Sequence, residues 1–134
     1  MRKILNTLLT VFALTFICSV QAVAETTHCT ECGMMVDVKS VFTAKIVQGE
    51  KTSYFCDIGD LFSYVKRKGV EGSSVEVKDF DNNEWIDGRK AFFVKAEKKF
   101  KTPMGWGIAA FKDKNKASES GTAMDFDAMV KALK

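Results

Sequence analysis

The sequence predicts an α+β fold built from antiparallel hairpins and short helices. Three observations carry this expectation. Short stretches alternate apolar and polar residues with the period of a half-buried strand. Compact turn formers, such as Gln48-Gly49-Glu50-Lys51 and Asp81-Asn82-Asn83, separate them. One segment, 58 to 68, instead repeats its apolar residues at helical spacing. Hairpins separated by helices argue for antiparallel pairing and against a doubly wound sheet.

Taken in order, Cys29 to Met35 forms a tight turn around Gly33, and 41 to 47 reads as a strand. Its loop returns into a second strand over 52 to 56. Asp57 then has the residue type of a helix N-cap, and Asp60 three positions later suggests a short-carboxylate capping box. Ile58, Leu61, Phe62 and Val65 share one face of the helix. Lys66, Arg67 and Lys68 fill its last turn, where the helix dipole favours cations, and Gly69 ends it. Residues 74 to 80 alternate as a strand, 84 to 86 form a short extended piece, and 91 to 96 form another strand. A glycine-flanked loop, Thr102 to Gly107, leads to an apolar strand over 108 to 111. Residues 112 to 120 are polar and allow a short helix before Gly121. A short strand over 124 to 126 and a helix over 127 to 134 close the chain. The halves 28–70 and 73–134 have similar element order, without clear similarity residue by residue.

The first 24 residues stand apart. Met1-Arg2-Lys3 is basic, 4 to 20 is an apolar run, and Ala22-Val23-Ala24 is a small-x-small cleavage site, together the layout of a secretory signal peptide, with an uncleaved anchor as the alternative. Ile17 stands before Cys18, where a lipoprotein signal needs a small residue. Release into the periplasm is therefore expected, with membrane contact only through the signal before cleavage. The chain from Glu25 to Lys134 has enough residues for one modest core. Without Arg2 and Lys3 the 20 basic side chains fall to 18 against 17 acidic, a net charge of +1. There is no basic stripe interleaved with aromatics, so nucleic acid is not an expected partner.

Loss of Cys18 leaves three cysteines, an odd number in an exported chain: Cys29, Cys32 and Cys56. Cys29-Thr-Glu-Cys32-Gly33 puts two sulfurs on one side of a tight loop, a spacing common in zinc and copper sites and also found in redox proteins. Cys56 lies just before a helix N-terminus, whose N–H groups favour a thiolate. The hairpin can bring it back beside the first turn. Met34, two residues after Cys32, and Met104, in the glycine-flanked loop, add thioethers. Thiolates and thioethers are soft donors that select Cu(I), whereas zinc rarely takes a thioether. His28, the sole histidine, precedes Cys29 and is a further candidate ligand. Competing explanations are methionines filling gaps in a core, a structural histidine, and a Cys29–Cys32 disulfide with Cys56 as a small buried apolar residue. Trp85 and Trp106 read as packing residues. With one histidine and no paired base and nucleophile, the chain is not expected to be an enzyme.

Cys32-Gly33-Met34 with Val36, Tyr54-Phe55 before the helix, Trp85-Ile86-Asp87-Gly88-Arg89-Lys90-Ala91-Phe92-Phe93-Val94, Met104-Gly105 before Ala110-Phe111, and Gly121 with Phe126-Asp127 together resemble the NosL family. That resemblance implies two small ββαβ units, a fold similar to organomercurial lyase, and a Cu(I) metallochaperone serving the copper centres of nitrous oxide reductase. NosL proteins are typically lipoproteins, which this chain does not resemble at Cys18. Tyr54-Phe55-Cys56 with the upstream Cys29-x-x-Cys32 is also similar to the TRASH and YHS metal-binding modules, which extends the possible acceptors to other cuproenzymes or copper-trafficking proteins. Two rivals follow from the same residues: a thiol–disulfide oxidoreductase using Cys29 and Cys32, and a zinc-stabilised interaction module.

Overall fold

The computed structural model describes residues 27–133; the expected signal peptide lies outside them. Two antiparallel sheets share one core. The first contains β1 (Ala44–Gln48), β2 (Lys51–Phe55), β3 (Ser74–Lys78) and β4 (Trp85–Asp87), in the order β2-β1-β3-β4. The second pairs β5 (Phe92–Lys95) with β6 (Ile108–Phe111). Helix α1 (Ile58–Lys68) follows β2, and α2 (Lys114–Ser120) and α3 (Phe126–Ala132) follow β6. This is the α+β class that the alternation and turn spacing predict.

Each half uses a related local plan. In the first, β1 and β2 form a hairpin, α1 crosses, and β3 returns antiparallel to β1, with Ala44 opposite Val77. In the second, β5 and β6 pair, α2 crosses, and Met124 returns to a single antiparallel bridge with Phe93. The expected strand over 124 to 126 thus shrinks to one bridge. Asp125 caps α3 by accepting the Ala128 N–H at 2.8 Å, so the helix starts at Phe126, one residue earlier than the sequence suggests. Strands β3 and β4, which follow α1, pair into the first sheet. The strand expected from Val41 starts at Ala44. Before it, Asp37 to Ser40 form a turn, held by Ser40 N–H to Asp37 O at 3.0 Å and by the Thr43 hydroxyl to Asp37 O at 2.7 Å.

Helix α1 joins the two sheets. Its apolar face buries Ile58, Leu61, Phe62 and Val65. The Phe62 ring meets Phe93 of β5 edge-on at 4.8 Å and Phe126 of α3 at 5.2 Å. Lys66 of α1 donates to the Leu133 carbonyl after α3. A satellite cluster of Val94, Phe100, Ala109, Phe111 and Ala117 lies beneath α2. Among the described residues no helix is long and apolar enough to cross a membrane.

Candidate metal centre

Three chain segments meet at the N-terminal end of α1. The first is the loop 28–35. Gly33, at φ 75°, lets it reverse within a few residues. Cys29 N–H donates to Met34 O at 2.7 Å, and Gly33 N–H to Cys29 O at 2.9 Å. The loop lies along β2, the edge strand of its sheet: Thr30 N–H donates to Tyr54 O at 2.8 Å, and Cys29 and Tyr54 form a parallel bridge. An exposed sheet edge is thereby covered. Glu31, between the two cysteines, fastens the loop to α1. Its carboxylate accepts Ser63 Oγ at 3.1 Å and Arg67 Nη2 at 2.6 Å, two residues one helical turn apart on the same face.

The second segment is the junction of β2 with α1. Asp57, fully buried, is the N-cap, as expected: Oδ1 accepts Gly59 N–H at 2.9 Å. Its Oδ2 accepts the Met104 N–H at 2.9 Å and so holds the third segment, the loop 102–107, against the same end of the helix. Trp106 covers this end. Gly59 makes room for it, since a Cβ there would lie 1.9 Å from the indole Cγ.

The sulfurs of Cys29, Cys32 and Cys56 and a carboxylate oxygen of Asp60 all lie within 4.8 Å of one another, a group able to hold a metal ion. Cys29 and Cys56 are buried and Cys32 is half-buried. All three are free thiols, and Cys32 Sγ lies 3.4 Å from Cys56 Sγ. Asp60 Oδ2 accepts from Cys29 Sγ at 3.4 Å and from Cys56 Sγ at 3.7 Å, while Oδ1 accepts the Trp106 indole N–H at 2.9 Å.

This corrects the expected role of Asp60. Its carboxylate faces the sulfurs and Trp106 and does not close a capping box. A cap pattern is a misleading guide here, because the sulfur-facing position of Asp60 depends on the register of β2 and the docking of two distant loops. The same holds for Glu31, Ser63, Arg67 and Trp106, which position the group and carry no motif of their own. Trp85, by contrast, is remote from the sulfurs in the fold: it lies under Lys45 and Lys78, whose Nζ atoms are 4.4 and 4.6 Å from its ring centroid.

Burial governs the protonation of Cys56 and Cys32. It pushes the Cys56 thiol far above the ordinary value, and the neighbouring Cys32 adds to the rise. Burial also raises Cys32, partly offset by a backbone hydrogen bond at Met34. The helix N-terminus beside Cys56 therefore does not win against desolvation. Without a cation, Cys56 is a neutral thiol at neutral pH.

The remaining sequence candidates lie outside this buried group. Met34 and Met104 are 50% and 42% exposed, so neither fills a core gap. Met104 sits beside the cysteine junction through its backbone bond to Asp57. His28 is exposed, with Nδ1 3.1 Å from Gly33 O, and it pairs with exposed Met35 in an isolated bridge.

Comparison with known proteins agrees with this picture. The family model NosL matches residues 20–132. Among solved structures, the copper chaperone NosL from Shewanella denitrificans is 24% identical, with a TM-score of 0.63, over 76% of this chain and 88% of that one. That likeness shows a common fold. No curated protein sequence matches the chain.

Proposed function

Since the chain belongs to the NosL family, we propose that it is an exported Cu(I) chaperone acting in the periplasm, with copper as its cargo and a cuproenzyme such as nitrous oxide reductase, or a copper-trafficking protein, as its acceptor. The observation that carries this reading is the convergence of three thiols from two segments within a single group. Soft thiolates match a soft monovalent ion, and a low coordination number suits exchange between proteins.

In this reading Cys29, Cys32 and Cys56 hold the ion. The buried pair Cys29 and Cys56 anchors it, and half-buried Cys32 faces the entry side. Met34 and Met104, both exposed, serve as exchanging thioethers that need no deprotonation. His28 is a further exchangeable donor: if its Nδ1–H bonds Gly33 O, its Nε2 carries the lone pair. An acceptor sulfur approaching from solvent adds to copper, Cys32 leaves, and the anchoring sulfurs follow. Each thiol that binds must first lose its proton, so loading releases protons. The chain itself catalyses no covalent step on a substrate.

One observation favours a second reading. Asp60 completes a three-sulfur, one-oxygen set that also suits tetrahedral Zn(II). A zinc-stabilised module would unfold on chelation, whereas a copper carrier with its own core stays folded when empty.

Titration of the reduced protein with Cu(I) against a chromophoric chelator tests the proposal. One tightly held copper per chain is expected, lost in the double variant Cys29→Ser, Cys32→Ser. Unchanged affinity in that variant would remove these residues from the site.

A further inference from the structure

Beyond metal binding, we propose that Cys32 and Cys56 form a reversible disulfide that closes the site, a linkage different from the Cys29–Cys32 bridge that the spacing of the first pair suggests. Three features assign the partners. Cys32 and Cys56 already touch through their sulfurs at 3.4 Å. Cys29 makes the shorter of the two thiol bonds to Asp60 Oδ2, 3.4 Å against 3.7 Å for Cys56. Cys29 and Cys56 are buried, whereas Cys32 is half-buried, so Cys32 is the sulfur an external reagent meets first.

The oxidant is a disulfide, of a small molecule or of a protein. Cys32, as thiolate, attacks one of its sulfurs, forming a mixed disulfide and expelling one thiol of the oxidant. Cys56 then attacks the Cys32 sulfur, and the second thiol leaves. Two electrons pass from the cysteine pair to the oxidant, and the two cysteine protons end on its two thiols. The backbone has little distance to travel. The loop carrying Cys32 is fixed at Glu31, next to the reacting sulfur, and Cys56 is followed directly by the buried cap Asp57.

Closure removes two of the three thiols and leaves Cys29 as the one thiolate beside Asp60 and the exposed thioethers, a set that should hold Cu(I) far less tightly. In an oxidising compartment the empty protein would thus be held shut, and a dithiol reductant would have to open it before loading. This consequence rests on the copper reading; the disulfide itself does not.

The test uses the purified full chain, reduced, freed of metal and incubated in a graded oxidised-to-reduced glutathione buffer. Intact mass should show the loss of two hydrogens, and non-reducing peptide mapping should find Cys32 joined to Cys56. Cys29→Ser should keep that linkage, while Cys32→Ser and Cys56→Ser should abolish it. A Cys29–Cys32 linkage, or glutathione adducts that never resolve into an internal bond, would overturn the proposal. Cu(I) titration of both forms separates the two claims. The disulfide form should lose at least a hundredfold in affinity against the reduced form. Equal, tight binding by both forms would overturn the closure of the site. A Cys32–Cys56 bond in a chain whose reduced form binds no copper would overturn the copper reading and leave the bond standing.

Discussion

Asp60 shows how one side chain can serve both packing and chemistry. It is almost fully buried, one oxygen faces two sulfurs and the other receives the Trp106 N–H. Asp60→Ala would leave that indole N–H without its acceptor, at a cost of about 1–3 kcal/mol. Asp60→Asn keeps an acceptor for Trp106 and should lose less. Urea unfolding of the two variants, followed by tryptophan emission, checks the order. The thiols give a second prediction. Burial raises the Cys56 thiol above its ordinary value of 9.0, so folding favours the protonated form. The stability from this group is complete below pH 9.0 and declines as pH rises beyond it. Unfolding midpoints should therefore fall from pH 8 to pH 10 more steeply in the wild type than in Cys56→Ala. Apparent Cu(I) affinity should move the other way and tighten with pH, because protons compete for the same sulfurs.

Among the elements, α1 was the most legible. Its cap at Asp57, four-residue apolar rhythm and terminal Gly69 gave both ends, and the structure places the helix over Ile58–Lys68. Strand ends were less legible, because Ser40 and Thr43 turn the chain just before β1 through bonds that alternation does not encode. The three cysteines were readable as a group from the hairpin that separates them. The clamp on their loop was not: Glu31 reads as a spacer within Cys29-x-x-Cys32, and only the packed helix brings Ser63 and Arg67 to it. Arg67 is 55% exposed, so Arg67→Ala should cost less than about 1 kcal/mol. Its effect should appear locally, as faster hydrogen exchange of the Cys29 and Gly33 amides, with exchange in β5 and β6 unchanged. Gly59→Ala makes the opposite prediction. Added bulk would displace Trp106 and open the loop that carries Met104, which quenching of tryptophan emission by iodide would report as greater access.

Among the described residues, the main core cluster draws on both sheets and includes Cys29 and Cys56. Phe62 meets Phe93 and Phe126, so one side chain links the first helix, the second sheet and the last helix. Phe62→Ala should cost about 3–5 kcal/mol. If the sheets fold as one unit, circular dichroism and tryptophan emission should give coincident unfolding curves, and a chelator should leave the midpoint nearly unchanged. Two separate transitions would divide the chain into independent halves. Hairpins followed by short helices are legible in the sequence. Their joining is not, because it depends on aromatic contacts between residues far apart in the chain.

The proposed copper site is where these levels meet, and X-ray absorption at the copper edge of the reduced, Cu(I)-loaded full chain tests it most directly. The account predicts a first shell of sulfur alone, with low coordination number, which loses sulfur when Cys56 is replaced by serine. A shell dominated by nitrogen or oxygen, or one indifferent to Cys29, Cys32 and Cys56, would contradict it.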